Sequence, residues 1–143
     1  MHILFICTGN TCRSPMAEAL ANQWLMKHHR EDVTCSSAGL YAEEGSPPSD
    51  EAVYVMEEIG LDISFHRSRQ LTPDDLTETD LFAVMTPSHA AVLSSAGVPS
   101  EKIHVLGGGI SDPFGGDEYI YRRCCAELRE AVEDFLAGVC GDE

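Results

Sequence analysis

A cysteine, an arginine and a serine near the N-terminus have the spacing of a nucleophile beside an anion site. Cys7 is followed after five residues by Arg13, and Ser14 comes directly after the arginine. A thiolate is a strong nucleophile, and a guanidinium offers a planar fork that matches two phosphate oxygens. The hydroxyl of Ser14 can donate a hydrogen bond to the thiolate. These residue types predict nucleophilic attack by Cys7 on an oxyanion clamped by Arg13.

The intervening residues suit a loop of free backbone N–H groups. They are Thr8, Gly9, Asn10, Thr11 and Cys12. Glycine and asparagine tolerate the left-handed backbone that a tight nest of amides requires. The loop follows an apolar run, Ile3 to Ile6, and precedes a helical pattern from Ser14 to His29. Because a helix N-terminus presents unpaired amides at its positive end, residues 8–13 are predicted to bind phosphate and to favour the Cys7 thiolate.

A second candidate, Asp112, follows the last predicted strand of the chain. The run Ile103 to Leu106 is succeeded by a glycine-rich stretch that contains Asp112 and Pro113. Proline restricts the residue before it to extended backbone, which fixes the direction of the aspartate side chain. Since Asp-Pro is also a common turn pair, the residue types alone leave a turn and a functional carboxylate open.

The elements that must position these residues alternate between strands and helices. Four strands are predicted at 3–6, 33–38, 81–85 and 103–106, and the main helices at 14–29, 49–60, 86–93 and 117–135. Such alternation implies right-handed crossovers and a parallel sheet covered on both faces. We therefore predict an α/β fold, a small doubly wound four-stranded parallel sheet, with residues 1–143 as one domain. Ligands of such sheets bind at the carboxyl ends of the strands, where Cys7 lies.

The composition narrows the possible partners. A formal net charge of −15 argues against nucleic acid and against an anionic membrane surface. No apolar stretch approaches the roughly 20 residues of a membrane span, and the N-terminus lacks signal-peptide features, so a cytoplasmic protein is expected. The six cysteines are expected to be free thiols, and without a paired metal-ligand spacing no metal or cofactor is expected.

The stretch Cys7 to Pro15 resembles the low-molecular-weight protein tyrosine phosphatase family, whose loop reads Cys-x-Gly-Asn-x-Cys-Arg-Ser-Pro. The resemblance implies that Cys7 attacks phosphorus, that a cysteinyl-phosphate forms, and that Asp112 is the general acid. The substrate would be a phosphorylated protein and the product inorganic phosphate.

Two supporting residues come from the same resemblance. The family has a Ser-Ala-Gly stretch like the one that begins at Ser37, and a histidine that supports the loop asparagine at the place of His66. Ser37 is thus expected to bond Asn10, with an ordinary strand-end turn as the alternative.

Thr11 and the sequence that follows Pro113 bear on the substrate. Together with Phe114, Gly115 and Gly116, Thr11 resembles the bacterial protein arginine phosphatase branch of the family. Tyrosine-specific members tend to have isoleucine at the position of Thr11 and an aromatic pair directly after the Asp-Pro. A guanidinium is flat but polar and prefers hydrogen-bond partners and a carboxylate to an apolar wall. Phosphoarginine is the favoured substrate and phosphotyrosine the alternative. The substrate wall is assigned to Thr11, Tyr41 and Phe114, with an ordinary surface position as the alternative for Tyr41.

Two other functional classes share such a loop. Arsenate reductases of the same fold pass an oxidation to two cysteines in the middle of the chain, but none lies between Cys35 and Cys124. A catalytically silent phosphate-binding module would normally lack the nucleophile or the acid. Because Cys7 and Cys12 flank one compact loop, peroxide is expected to link them in a disulfide.

Overall fold

A parallel sheet of four strands forms the centre of the structure, a computed structural model that describes residues 1–141. The strands are β1 (His2–Cys7), β2 (Thr34–Gly39), β3 (Leu81–Val84) and β4 (Ile103–Val105). Their order in the sheet is β2-β1-β3-β4, so the chain moves first to one side of β1 and then to the other. The switch point lies at the carboxyl end of β1. This arrangement confirms the predicted doubly wound α/β fold.

Five α-helices within residues 1–141 connect and cover the strands. They are α1 (Arg13–Lys27), α2 (Asp50–Glu58), α3 (Pro73–Glu78), α4 (Pro87–Ser95) and α5 (Glu118–Val139). Short 3-10 turns flank β4 at Ser100–Lys102 and Leu106–Gly108. Within the described residues, no helix is both long enough and apolar enough to cross a membrane.

Two hydrophobic cores, one on each face of the sheet, hold β1 in place. Successive side chains of a strand face opposite ways. Ile3 and Phe5 therefore enter the core beneath α1, α2 and α5, while Leu4 and Ile6 enter the core beneath α4. All four side chains are fully buried, and each contributes about 1.5–3 kcal/mol through burial. The uninterrupted apolar run thus fixes the strand that ends at Cys7.

Candidate active site

A cavity of about 220 Å³ opens at the carboxyl end of β1. It is lined by Cys7, Thr8, Gly9, Thr11, Cys12, Arg13, Asp112 and Phe114. The first six run from the end of β1 through the connecting loop to the first residue of α1, and the last two come from the loop that precedes α5. We call residues 8–13 the cradle and residues 109–117 the Asp112 loop. The fold thus brings the predicted nucleophile, clamp and acid to one cavity.

The Cys7 sulfur receives two hydrogen bonds inside the cradle. Its side chain is only 3% exposed, and its Sγ lies 2.9 Å from Ser14 Oγ and 3.3 Å from the Asn10 amide nitrogen. Asn10 Nδ2 donates to the same serine oxygen at 2.8 Å, which directs the Ser14 hydroxyl hydrogen toward the sulfur. Both donors stabilise negative charge on Cys7, the state that a nucleophile requires.

Asn10 is the central support of the cradle. It is fully buried and adopts a left-handed backbone with φ of 59°. Its Nδ2 donates to Ser37 Oγ at 3.0 Å, its Oδ1 accepts from the Arg69 amide at 3.0 Å, and its carbonyl accepts from His66 Nε2 at 2.9 Å. Ser37 and His66 therefore contact the residue that the sequence analysis paired them with.

The support extends one residue further than the sequence analysis predicted. Ser37 Oγ donates to Glu18 Oε1 at 2.6 Å, so a carboxylate of α1 orients the serine that bonds Asn10. Glu18 lies four residues after Ser14, on the same face of the helix. The four-residue spacing from Ser14 could have indicated Glu18, but it does not distinguish Glu18 from the many other acidic residues of the chain.

Arg13 connects the cradle to the Asp112 loop. Its guanidinium is buried, donates from Nη1 to the Ile110 carbonyl at 2.7 Å, and places Nη2 3.6 Å from Asp112 Oδ2. Asp112 is half exposed, with 51% of its side chain accessible, so the ion pair contributes little stability. Its Oδ1 accepts from the Phe114 amide at 3.1 Å, which fixes the carboxylate direction. Residues 1–141 contain no cluster of histidine, cysteine, aspartate or glutamate suited to a metal.

Both glycines after Phe114 have backbone reasons to be glycine. Gly115 has φ of 83°, a left-handed conformation that side chains disfavour. A Cβ on Gly116 would lie 2.9 Å from both the Ile120 side chain and the Pro113 carbonyl. The turn itself therefore requires the pair, and a second aromatic residue at 115 would strain the loop.

Two of the three residues predicted as the substrate wall line the cavity. Thr11 and Phe114 do so, but Tyr41 does not. The side chain of Tyr41 is 75% exposed, and only its backbone amide reaches the cradle, where it donates to the Thr8 carbonyl at 2.9 Å. Tyr41 thus anchors the cradle through its main chain, which residue type could not reveal.

Through its sulfur, Cys12 contacts side chains of α5 and of the residue that caps α2. Its Sγ lies 3.3 Å from Tyr121 Oη and 3.4 Å from Ser49 Oγ. Burial, together with the hydrogen bond to Cys12, raises the pKa of Tyr121, so the phenol stays neutral. These two contacts connect the cradle to the N-terminus of α2 and to α5.

A buried histidine that the sequence analysis missed lies beside the cradle. His89, in the first turn of α4, has its Nε2 3.0 Å from Thr8 Oγ1. Burial and then the Arg13 charge lower the pKa of His89, while Asp112 acts in the opposite direction. The ring is therefore neutral at pH 7. The available signal was its position just after β3, at the same edge of the sheet as Cys7.

Comparison with known proteins gives relatives along nearly the whole chain. Residues 2–142 match the model of the low molecular weight phosphotyrosine protein phosphatase family. A protein-arginine-phosphatase of Geobacillus stearothermophilus is 38% identical over 144 residues, covering 94% of this chain and 93% of the relative. The low molecular weight protein-tyrosine-phosphatase PtpB of Staphylococcus haemolyticus is 37% identical over 134 residues, covering 90% and 92%. A solved structure of the arginine phosphatase YwlE, a variant with a phosphorylated active-site serine, superimposes with a TM-score of 0.91 at 32% identity and covers 100% of this chain and 98% of that one.

Proposed function

The chain belongs to the low molecular weight phosphotyrosine protein phosphatase family and is a protein phosphatase, and from this premise we propose that it hydrolyses phosphoarginine in proteins through a cysteinyl-phosphate on Cys7. We propose further that residues 1–143 act as one phosphatase domain. The observation that carries the mechanism is the Cys7 sulfur, which receives two hydrogen bonds and faces a cavity shared with Arg13 and Asp112.

In the first step of this mechanism, Cys7 Sγ attacks phosphorus in line with the leaving group. A sulfur–phosphorus bond forms while the bond from phosphorus to the guanidine nitrogen breaks. The cradle amides and the Arg13 guanidinium stabilise the three equatorial oxygens in the transition state. Asp112, held over the cavity by the Phe114 amide, gives its proton to the departing nitrogen.

In the second step, water hydrolyses the cysteinyl-phosphate. Asp112, now a carboxylate, accepts a proton from a water molecule, which attacks phosphorus. The sulfur–phosphorus bond breaks, inorganic phosphate leaves, and Cys7 returns to the thiolate that Ser14 and Asn10 stabilise. Every bond change is thus supplied by Cys7, Asp112, water and the substrate.

The preference for phosphoarginine is supported by the wall of the cavity and by the relatives. Thr11 offers a hydroxyl to a polar guanidinium, and Phe114 is the one aromatic residue that lines the described cavity. Relatives named protein-arginine-phosphatase are 38% and 36% identical to this chain. A relative named tyrosine phosphatase is 37% identical, which keeps phosphotyrosine as the second candidate.

Arsenate reduction finds no support in Cys35, Cys124 and Cys125. Burial raises the pKa of Cys35 and of Cys124 to about 12, and that of Cys125 also lies above its ordinary value. Such thiols remain protonated at neutral pH and are poor partners for a disulfide relay. This strengthens the choice of a phosphatase over a redox enzyme.

A comparison of two matched peptides tests the proposed substrate. The peptides share one flanking sequence and carry either phosphoarginine or phosphotyrosine, and kcat/KM is measured for each. We expect kcat/KM to be at least about tenfold higher for phosphoarginine, because phosphotyrosine would leave polar groups of the site without hydrogen-bond partners. A Cys7→Ser variant, which should be inactive on both peptides, controls for contaminating phosphatases. Equal rates, or faster hydrolysis of phosphotyrosine, would contradict the preference.

A further inference from the structure

His89 is a buried polar residue that the catalytic steps above do not use. Its side chain is 7% exposed, and its Nδ1 is the buried side-chain nitrogen or oxygen that has no hydrogen-bond partner within residues 1–141. The other ring nitrogen, Nε2, lies 3.0 Å from Thr8 Oγ1. The ring therefore contacts the cradle through Nε2, and its Nδ1 forms no hydrogen bond within the described residues.

The two ring nitrogens assign the tautomer. A neutral imidazole carries its hydrogen on one nitrogen and a lone pair on the other. A buried N–H group without an acceptor is rarer than an acceptor without a donor, because its desolvation is not compensated. The hydrogen therefore belongs on Nε2, where the Thr8 hydroxyl oxygen accepts it.

Burial and the charges near His89 keep its ring neutral. Burial is the largest cause that lowers the pKa of His89, the Arg13 guanidinium from α1 adds to it by disfavouring a second positive charge, and the Asp112 carboxylate acts in the opposite direction. His89 also lies in the first turn of α4, at the positive end of that helix. A neutral ring with one N–H group is thus the state in which it meets Thr8.

Thr8 is held from two sides, by segments that follow the two strands next to β1. Its carbonyl accepts from the Tyr41 amide on the β2 side at 2.9 Å, and its hydroxyl contacts His89 on the β3 side. The Thr8 side chain is exposed to the cavity that contains Cys7 and Asp112. Since its oxygen already accepts from His89, the hydroxyl hydrogen points away from the ring and is available to an acceptor in the cavity.

We propose that His89 is a positioning residue of the active site, which directs the Thr8 hydroxyl hydrogen toward an oxygen of the bound phosphoryl group. This rests on the proposed function, because a phosphoryl oxygen is the acceptor that the hydroxyl needs. A hydrogen bond to a charged acceptor corresponds to roughly ten- to hundredfold in kcat/KM. The proposal adds the Thr8 hydroxyl to the groups that bind the transferred phosphoryl group, and it gives His89 the role of orienting that hydroxyl.

A double-mutant cycle tests this role with p-nitrophenyl phosphate as substrate. Thr8→Val removes the hydroxyl at constant shape, and His89→Leu removes the ring that orients it. We expect each single variant to lose roughly tenfold or more in kcat/KM, and the double variant to lose no more than the worse of the two. His89→Gln retains an N–H donor and should stay within about threefold of wild type.

The matched control is His104→Leu. His104 lies on β4, is exposed, and has its ring centroid 5.1 Å from that of Phe135, outside the cavity. Its substitution should leave kcat/KM unchanged. Additive losses of kcat/KM in the double variant would overturn the proposal. If His89→Leu fails to fold, a Thr8→Val variant whose kcat/KM stays within twofold of wild type would still overturn it.

The tautomer gives a readout that packing alone would not move. Long-range nitrogen–proton spectra of the histidine rings should show His89 protonated on Nε2 and bare on Nδ1, and the reverse assignment would overturn the proposal. All kinetic comparisons use p-nitrophenyl phosphate. A preference for phosphotyrosine peptides would therefore contradict the proposed substrate while leaving this cycle intact, and activity without Cys7 would contradict the proposed mechanism.

Discussion

At the scale of single residues, the reactivity of Cys7 depends on the direction of one hydroxyl hydrogen. Asn10 occupies the acceptor side of the Ser14 hydroxyl, which leaves its hydrogen for the sulfur 2.9 Å away. The residue types of this loop predicted the nucleophile, the clamp and the cradle because all of them lie within eight consecutive positions. Glu18 and His89 were not predicted, since each acts through a contact that only the folded chain forms.

Asp112→Asn tests the proton donor. Asparagine retains an oxygen that can accept from the Phe114 amide, so the loop keeps its shape while the acid is lost. We expect kcat/KM, which reports the step that releases the leaving group, to fall by roughly 10²- to 10⁴-fold for poor leaving groups, and by less for p-nitrophenyl phosphate, whose leaving group needs little protonation. Equal losses for good and poor leaving groups would make Asp112 a structural residue.

Thr11→Ile tests the basis of substrate choice. Isoleucine removes the hydroxyl and adds apolar bulk, while the Thr11 carbonyl keeps its bond from the Ser49 amide at 3.0 Å. The ratio of phosphoarginine to phosphotyrosine kcat/KM should fall by at least about tenfold, as expected for one lost polar contact in a closed site. Thr77→Ile, on the exposed surface of α3, should leave the ratio unchanged. An unaltered ratio in Thr11→Ile would remove Thr11 from the specificity site.

Oxidation tests the relation between Cys7 and Cys12. We expect hydrogen peroxide to inactivate the wild-type protein reversibly through a Cys7–Cys12 disulfide, because a thiolate oxidises first and a neighbouring thiol then resolves it. Cys12 must leave its contacts with Tyr121 and Ser49 to do so, so the bridge should form slowly. Cys12→Ser should lose the recovery by dithiothreitol. Mass spectrometry that finds Cys12 untouched in wild type, with Cys7 over-oxidised, would count against the disulfide.

At the scale of elements, the short helix α3 supports the cradle through one arginine. The Arg69 amide bonds Asn10 Oδ1 at 3.0 Å, and its guanidinium forms a two-pronged ion pair with Asp75 at 3.0 and 3.2 Å. Asp75 also completes the capping box of α3 with Thr72. The helix has no buried residue, so its apolar periodicity was too weak to predict it, unlike the strands that pack on both faces.

Asp75→Asn tests this support through stability and pH. Partial burial acts to raise the pKa of Asp75, but the hydrogen bonds from Arg69 and Thr72 outweigh it and hold the pKa below its ordinary value. Its carboxylate therefore stabilises the native state above about pH 4 and ceases to do so as pH falls through the lowered pKa. We expect the substitution to lower the free energy of unfolding by about 1 kcal/mol at pH 7, the usual effect of a lost helix cap.

Denaturant titrations at pH 7 and pH 3 check the sign of that effect. The difference between wild type and Asp75→Asn should be full at pH 7 and smaller at pH 3. A difference that stays constant with pH, or grows in acid, would show that the ion pair with Arg69 does not carry the contribution of Asp75.

At the scale of the whole molecule, the parallel sheet gathers distant segments at one edge. Cys7 ends β1, whereas His89 and Asp112 follow β3 and β4, and all three lie at the carboxyl ends of the strands. The alternation of strands and helices predicted this edge, and with it the location of the site. It did not predict which side chains touch, because contacts such as Thr8 with His89 span 81 positions and depend on the packing between crossovers. Tyr41 illustrates the same limit, since its backbone and not its ring meets the cradle.

The measurement that tests the central claim most directly is the capture of a phosphoryl group on Cys7. In Asp112→Asn, a good leaving group still departs from p-nitrophenyl phosphate, but the base that activates water is lost, so the intermediate should accumulate. Rapid acid quenching followed by mass spectrometry should find the phosphoryl group on the peptide that contains Cys7, with a matching burst of p-nitrophenol. A Cys7→Ala variant should show neither. A phosphoryl group on another residue, or no burst at all, would contradict nucleophilic catalysis by Cys7.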